Sequence, residues 1–368
     1  MIEKGKISSL QLGIMFYPMI IATAVLSIPS ITALYAKNDL WLSPIWGSFV
    51  GFFIVYISCQ LHKLFPKQTV IQYSEQILGK VFGKALGLLL IANLFYLNGV
   101  TARQYTELSI GAFLPHTPMS VITIGLVVVC GFAVRGGIEV VGRAAQIFFP
   151  LYLVSLVFII VLLIPEYEVK NVFPVMENGL MPSIKGAAVS QLMFTLFFYI
   201  AFLLPYIKDE EKAMKWSMIS VSFVMMTLVI VNLTILFVFG GTVGNYVYPV
   251  LSAAKYISIA DFLEHIESIV VAVWVAGTFI KLSVQYYITV LATAQLFGLS
   301  DSRPIVFPVG LIIVLLSFWG LPNFQILSTM LRATTPFYAL FINVFIPIML
   351  LLIALFKNRK KATKRLAN

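Results

Sequence analysis

Two stretches of this 368-residue chain hold residues whose types and spacing could do chemistry. One is Gly277-Thr278-Phe279-Ile280-Lys281-Leu282-Ser283, where a lysine stands in the middle of a long apolar run. A charge at the centre of a lipid-embedded helix costs roughly 2.5–3.5 kcal/mol on insertion scales. Lys281 therefore either faces an internal polar cavity, touching a ligand or standing in for a coupling cation, or it caps carbonyls or snorkels to an interface. Thr278, Ser283 and Tyr287 lie on the same helix, and Ser283 and Tyr287, four apart, share a face.

The other stretch is Ile20-Ile21-Ala22-Thr23-Ala24-Val25-Leu26-Ser27-Ile28-Pro29. Pro29 brings no N–H to the Val25 carbonyl and crowds it. Thr23 and Ser27 offer hydroxyls to freed backbone groups. The pattern predicts a helix broken near Ala22–Val25, whose loose N–H and C=O groups form half of a ligand site. The alternative is a Pro-kinked membrane helix whose small residues serve packing. A third group comes from Asn93, Tyr96, Asn98, Gly99, Val100 and Thr101. Tyr96 either lines the same site or is a core tyrosine bonded to a neighbouring helix. Arg103 and Glu107 form an i, i+4 pair that reads as structural.

What is missing narrows the chemistry further. The fifteen acids all fall in loops or near segment ends, so a proton relay on intramembrane carboxylates is not expected. A zwitterion's ammonium would be met by carbonyls and hydroxyls. Its carboxylate would be met by N–H groups of a half-helix start, worth about 0.3–1 kcal/mol, up to ~2 when partly buried. No phosphate loop, nucleophile motif or metal spacing occurs, so neither an enzyme nor a cofactor or metal site is expected. Cys59 and Cys130 sit in apolar segments and suggest no disulfide. The histidines, at segment edges, read as loop or interface residues.

The elements that must position these residues are membrane helices. Hydrophobic residues make up 60% and charged ones 11%, and mean hydropathy is +0.97. Soluble domains carry about 25% charged residues. About 20 apolar residues cross a bilayer, and ten such segments are expected. They are Leu10–Ala36, Trp41–Leu61, Ala85–Ser109, Met119–Val134, Ala144–Ile164, Ile184–Ile207, Trp216–Phe239, Ile266–Phe297, Pro304–Phe318 and Phe337–Phe356. The fourth and ninth are short. Gln68–Leu78 is expected as a surface helix, and Thr242–His265 as a re-entrant or surface helix on the outer side. Arg135-Gly136-Gly137-Ile138-Glu139 reads as a tight turn.

Lysine and arginine placement orients the chain. With the N-terminus inside, eighteen of the 25 basic residues fall in cytoplasmic segments, six outside, and Lys281 within a span. Both termini are then cytoplasmic. The basic tail, 357–368, fits an anchor on anionic lipid and not a nucleic-acid site. The chain reads as one transporter-like domain, with repeats over 1–165 and 184–356 in opposite orientation, interrupted in their first helices.

The chain resembles the B subunit of nutrient germinant receptors of endospore-forming bacteria, within the amino acid–polyamine–organocation transporter superfamily. The likeness spans nearly the whole chain. It rests on Lys6-Ile7-Ser8, Val25-Leu26-Ser27-Ile28-Pro29, Leu204-Pro205-Tyr206-Ile207-Lys208, Tyr286-Tyr287 in an aromatic-rich eighth span, and the basic tail. The resemblance implies an all-α, ten-span, 5+5 inverted-repeat fold of the LeuT type in the spore inner membrane. It implies a small nutrient ligand, an amino acid by the family pattern, and A and C subunit partners, the latter a lipoprotein. By position it points to Ala22, Ala24 and Val25, to Tyr96 and Val100, to Leu196 and Phe197, and to Thr278, Ser283 and Tyr287. Relatives commonly have Gly-x-Gly where Ala22-Thr23-Ala24 stands, which implies a smaller pocket or less complete unwinding. Leu196 and Phe198 imply a more hydrophobic ligand or an altered site. The readings open at this point are a ligand sensor, a secondary transporter coupled to protons or sodium, and a structural subunit whose partners hold the ligand.

Overall fold

The computed structural model describes residues 5–257, 266–321 and 323–366. The described residues are helical almost throughout, in the order α1 Ser9–Ala36, α2 Ser43–Leu64, α3 Val70–Leu78, α4 Lys80–Ala112, α5 Met119–Arg135, α6 Ile138–Leu162, α7 Met181–Thr195 and α8 Ile200–Leu203. There follow α9 Ala213–Phe239, α10 Pro249–Ala254, α11 Ile266–Leu296, α12 Val306–Trp319, α13 Phe324–Ala333, α14 Thr335–Leu340 and α15 Ile346–Leu366. Among the described residues, eight helical stretches are long and apolar enough to cross a membrane. Two shorter apolar helices, Met119–Arg135 and Arg303–Trp319, stand where the fourth and ninth spans are expected. At 1.5 Å per residue, a 17-residue helix is at the short limit for a core about 30 Å thick.

Local chemistry sets the boundaries. Ser8 starts α1 with a capping box: its hydroxyl accepts the Gln11 N–H, and the Gln11 side chain accepts the Ser8 N–H at 2.8 Å. Thr69 and Gln72 repeat the device at α3, the expected surface helix, which buries Val70, Ile71, Tyr73 and Ile77. Gly137, at φ 87°, makes the tight turn between α5 and α6. Of the expected outer segment Thr242–His265, the described part holds a 3-10 turn over Gly240–Asn245 and α10, and residues 258–265 lie outside the described residues.

The expected break in the first span is not there. α1 is one α-helix through Ala22–Val25 and through Pro29, and its only left-handed residue is Lys37, past its end. The physical reason is composition. Alanine is the best helix former, about 0.8–1.0 kcal/mol better than glycine at an interior position. Ala22 and Ala24 thus hold the helix wound, and Pro29 removes a single backbone donor. In the sixth span the hydrogen-bond pattern does change. α7 tightens into a 3-10 stretch over Leu196–Tyr199, resumes as α8, and tightens again over Leu204–Tyr206. Every residue of Leu196–Tyr199 stays buried, so the span narrows there and does not open into a loop.

α1 is the axis of the bundle. It packs on α6, α7, α9 and α11. Small residues set the closest approaches, as membrane helix interfaces require. A Cβ at Gly13 would stand 3.0 Å from the Trp216 carbonyl of α9, and one at Gly47 of α2 would stand 3.0 Å from the Gln191 nitrogen of α7.

The basic segments gather at one end of the bundle. Ile7 pairs with Ile207 as an isolated parallel bridge, with Ile7 N–H on the Tyr206 carbonyl at 3.0 Å and Lys208 N–H on the Ile7 carbonyl at 2.9 Å. Ser9 N–H reaches the Asp209 carboxylate at 2.7 Å, and Lys6 N–H reaches Glu139 at 3.1 Å. His62 is buried and meets Glu210 at 3.1 Å, so it is a partnered residue and not a loop histidine. Lys357 donates to the Ile77 carbonyl at 2.6 Å. The opposite end is tied by Met176 N–H to Asp39 at 2.9 Å and by Ser43 to the Ser183 carbonyl at 2.9 Å.

Candidate functional site

The structure brings together the two stretches singled out in the sequence. The Lys281 ammonium, on α11, donates to the Thr23 hydroxyl of α1 at 2.5 Å, and both side chains are buried. The Met193 sulfur of α7 lies 3.9 Å from the same hydroxyl. One turn earlier on α11, a Cβ at Gly277 would come within 2.8 Å of the Ala22 Cβ and 2.9 Å of the Tyr152 ring. The two helices cross at Ala22 and Gly277, and Lys281 fastens them just beyond that crossing.

Magnitudes separate a structural from a functional role for Lys281. An interhelical hydrogen bond in a membrane protein is worth about 0.6 kcal/mol on average and ~1.7 at most. That falls short of the roughly 2.5–3.5 kcal/mol for a charge at mid-helix. Among the described residues, no carboxylate forms an ion pair with it. A bond from a charged donor reaches about 1.5–3 kcal/mol, so the Thr23 bond at most offsets the charge of Lys281.

Beyond Lys281 the same stripe of α11 continues with Gln285 and Thr289, and it faces α4. Thr101 donates to the Gln285 side chain at 2.9 Å, and Asn98 donates to the Thr289 hydroxyl at 2.9 Å. Lys281, Gln285 and Thr289 thus form a polar seam joining the first, third and eighth spans. Gln285 and Thr289 were missed in the sequence, although their i, i+4 spacing from Lys281 was there to be read.

The remaining expected site residues are dispersed. Tyr96, half-buried, donates to the Met330 sulfur at 3.6 Å and sits edge-on to Tyr338, with ring centroids 6.1 Å apart. Phe197 stacks on Phe16 at 5.7 Å. Ser283 shares its face of α11 with Phe279 and Tyr286, toward α5, where Cys130 donates to the Phe279 carbonyl at 3.7 Å. Tyr286 donates to the Val306 carbonyl at the start of α12. Ala24, Val25, Val100, Leu196, Thr278 and Tyr287 are buried in the core.

Above the Lys281–Thr23 bond, toward the end opposite the basic one, lies a cavity of about 120 Å³. It is bounded by the outer part of α1, by Gln104 of α4, by residues 244–248 and by α13. Ser27 lines it and stands one turn from Thr23 on the same face of α1. At the basic end a recess of about 400 Å³ is bordered by Lys67, Gln72, Tyr206 and Gln295, with no residue of α1 or α4.

Residues 6–325 match the family model described as "Spore germination protein". The chain belongs to the spore germination protein family. Relatives in this family include spore germination protein KB of Bacillus subtilis (strain 168), 25% identical over 98% of this chain and 97% of that protein. Spore germination protein YndE of the same organism is 26% identical over 96% of this chain and 98% of that protein. Among solved structures, a Na⁺-coupled sialic acid symporter in a substrate-bound outward-open state has a TM-score of 0.62 at 12% identity, covering 89% of this chain and 77% of its own. The nucleobase-cation-symport-1 family transporter Mhp1, closed with bromovinylhydantoin bound, has a TM-score of 0.57 at 12% identity, over 92% and 76%. At these identities the likeness establishes the fold alone. This family member is an integral membrane protein with the LeuT-type transporter architecture.

Proposed function

We propose that this chain is the ligand-responsive B subunit of a nutrient germinant receptor. It resides in the spore inner membrane with its basic end and both termini toward the cytoplasm, and it works with A and C subunits. The observation that carries the reading is the bond from Lys281 to Thr23. It joins the first and eighth spans through a buried lysine, one turn along α1 from Ser27 in the wall of the outer cavity. In this reading the Lys281–Thr23 bond is a clamp between two helices that is closed here and opens in a second state. A nutrient that binds more tightly when the clamp is open shifts the receptor to that state, and unequal affinity is the only way binding can do so. The residues proposed to respond are Thr23, Lys281 and the seam through Gln285 and Thr289.

The test is germination of spores carrying Lys281→Met against a nutrient panel, with the protein quantified in the membrane. The reading expects normal protein level and loss of the nutrient response. An unchanged dose response would remove Lys281 from the mechanism and return the chain to a scaffolding role.

A second reading, secondary transport, is favoured by the likeness to symporter folds. Uptake of labelled amino acids by the purified protein in liposomes separates the two. Gradient-driven flux would overturn a pure sensor.

A further inference from the structure

Among the described residues, the lining of the outer cavity includes one cationic side chain and no acid. Its walls carry the hydroxyls of Ser27, Ser30 and Ser328 and the amides of Gln104 and Asn245. The one charged side chain among the lining residues is Arg332, on α13. No ion pair of Arg332 occurs among the described residues. The nearest acid along α4, Glu107, is held by Arg103 at 2.6 Å. Among the described residues, the balance at this cavity is a guanidinium without an ion pair beside a wall of hydroxyls. A guanidinium is planar and presents paired donors that match a carboxylate. The cavity's 120 Å³ exceeds severalfold the roughly 10–15 Å³ that a single water needs.

α13 is suited to present such a group. Asn323 caps it by accepting the Ile326 N–H at 2.9 Å, and it turns Leu327 and Leu331 inward. Arg332, next to Leu331, is exposed at the cavity rim. On the opposite wall, Ser27 sits one turn from Thr23, so a ligand in this cavity leans on the face of α1 that Lys281 holds.

We infer that this cavity is an entry site that captures a small carboxylate-bearing nutrient, Arg332 receiving the carboxylate and Ser27 and Ser30 its remaining oxygen contacts. The inference rests on the receptor reading above and adds a second site, nearer the surface than the Lys281 clamp. It assigns the ligand class to carboxylic acids, amino acids included, and excludes sugars.

The experiment uses intact spores carrying the full-length chain as their sole receptor B subunit. The probes are the twenty L-amino acids, their carboxamides, and glucose and fructose. For wild type, a response to at least one amino acid and none to its carboxamide is expected. For Arg332→Gln, the half-maximal concentration rises about ten-fold or more, the loss of a charge-assisted hydrogen bond, while the maximal response is kept. Ser27→Ala gives a smaller rise in the same direction. Arg332 is exposed, so the membrane level of the protein stays unchanged, and an immunoblot checks this. Equal potency of acid and carboxamide, an unshifted Arg332→Gln curve, or a response to sugars alone overturns the carboxylate site and leaves the receptor reading standing. A wild type unresponsive to every probe, with the protein present, sinks the receptor reading, and this site with it.

Discussion

At the residue scale Lys281 is a buried lysine whose bond to Thr23 at most offsets its charge. Replacing Lys281 by methionine removes a charge from mid-membrane and one hydrogen bond. The balance predicts a protein as stable as wild type or more so, by up to about 2 kcal/mol. Thermal unfolding of the detergent-solubilised chain measures this, and a lower melting temperature would contradict it. Thr23→Val leaves the ammonium without its acceptor and destabilises. In the double variant Thr23→Val with Lys281→Met that penalty disappears, so the cycle is non-additive. Additive effects would mean that the two groups are not coupled. Gly277 is sensitive for a different reason. A valine there would collide with Ala22 and Tyr152 and force α1 and α11 apart, at a cost of about 1–3 kcal/mol read from the same melts.

At the scale of the element, α1 decides how the site is made. It is an unbroken helix in which the prolines free only single carbonyls, so the proposed recognition rests on side chains. Restoring glycine, as Ala22→Gly with Ala24→Gly, costs the helix about 1 kcal/mol per position. Hydrogen exchange should then quicken at amides 22–28 and stay unchanged in α9. Equal protection in both proteins would show that packing, and not alanine, keeps α1 wound. The start of α1 is also an element with a pH response. Burial works to raise the Asp209 carboxyl, but the Ser9 N–H and hydroxyl, its own main chain and Lys212 outweigh it, and Asp209 sits below the ordinary carboxylate range. A carboxyl lowered in the folded state contributes stability that is present above its unfolded pKa, about 3.9. That contribution is lost as pH falls through the lowered folded value. Amide protection at residues 7–9, corrected for the intrinsic pH dependence of hydrogen exchange, should therefore be weaker in strong acid than at pH 7. In Asp209→Asn the strap should be loose already at neutral pH, with that dependence flattened.

At the scale of the whole molecule, the joining of residues 6–9, 62, 77, 139, 207–210 and 357 at one end makes sidedness a property of the fold. Cys59 and Cys130 are buried, so single cysteines added elsewhere report cleanly. A membrane-impermeant maleimide should reach Lys170→Cys from outside and Lys215→Cys only after permeabilisation. The reverse pattern would invert the proposed orientation, and with it the entry side of the Arg332 cavity.

Helix positions, the surface helix α3, the α5–α6 turn and the place of Lys281 within a span were all legible in the linear chain. Each follows from rules that act within a few residues: hydropathy over a span, capping pairs, a glycine in a turn, the expense of a buried charge. What joins distant segments was not legible. That Lys281 would meet Thr23, 258 positions away, depends on α1 and α11 crossing at Ala22 and Gly277, which only packing in three dimensions settles. The break expected at Ala22–Val25 failed for the same reason in reverse. A proline and two hydroxyls are local permission to unwind, but the surrounding helices and the alanines favour the wound state. The outer cavity, too, is drawn from four separate segments, and no spacing along the chain could have put Ser27, Gln104 and Arg332 around one space.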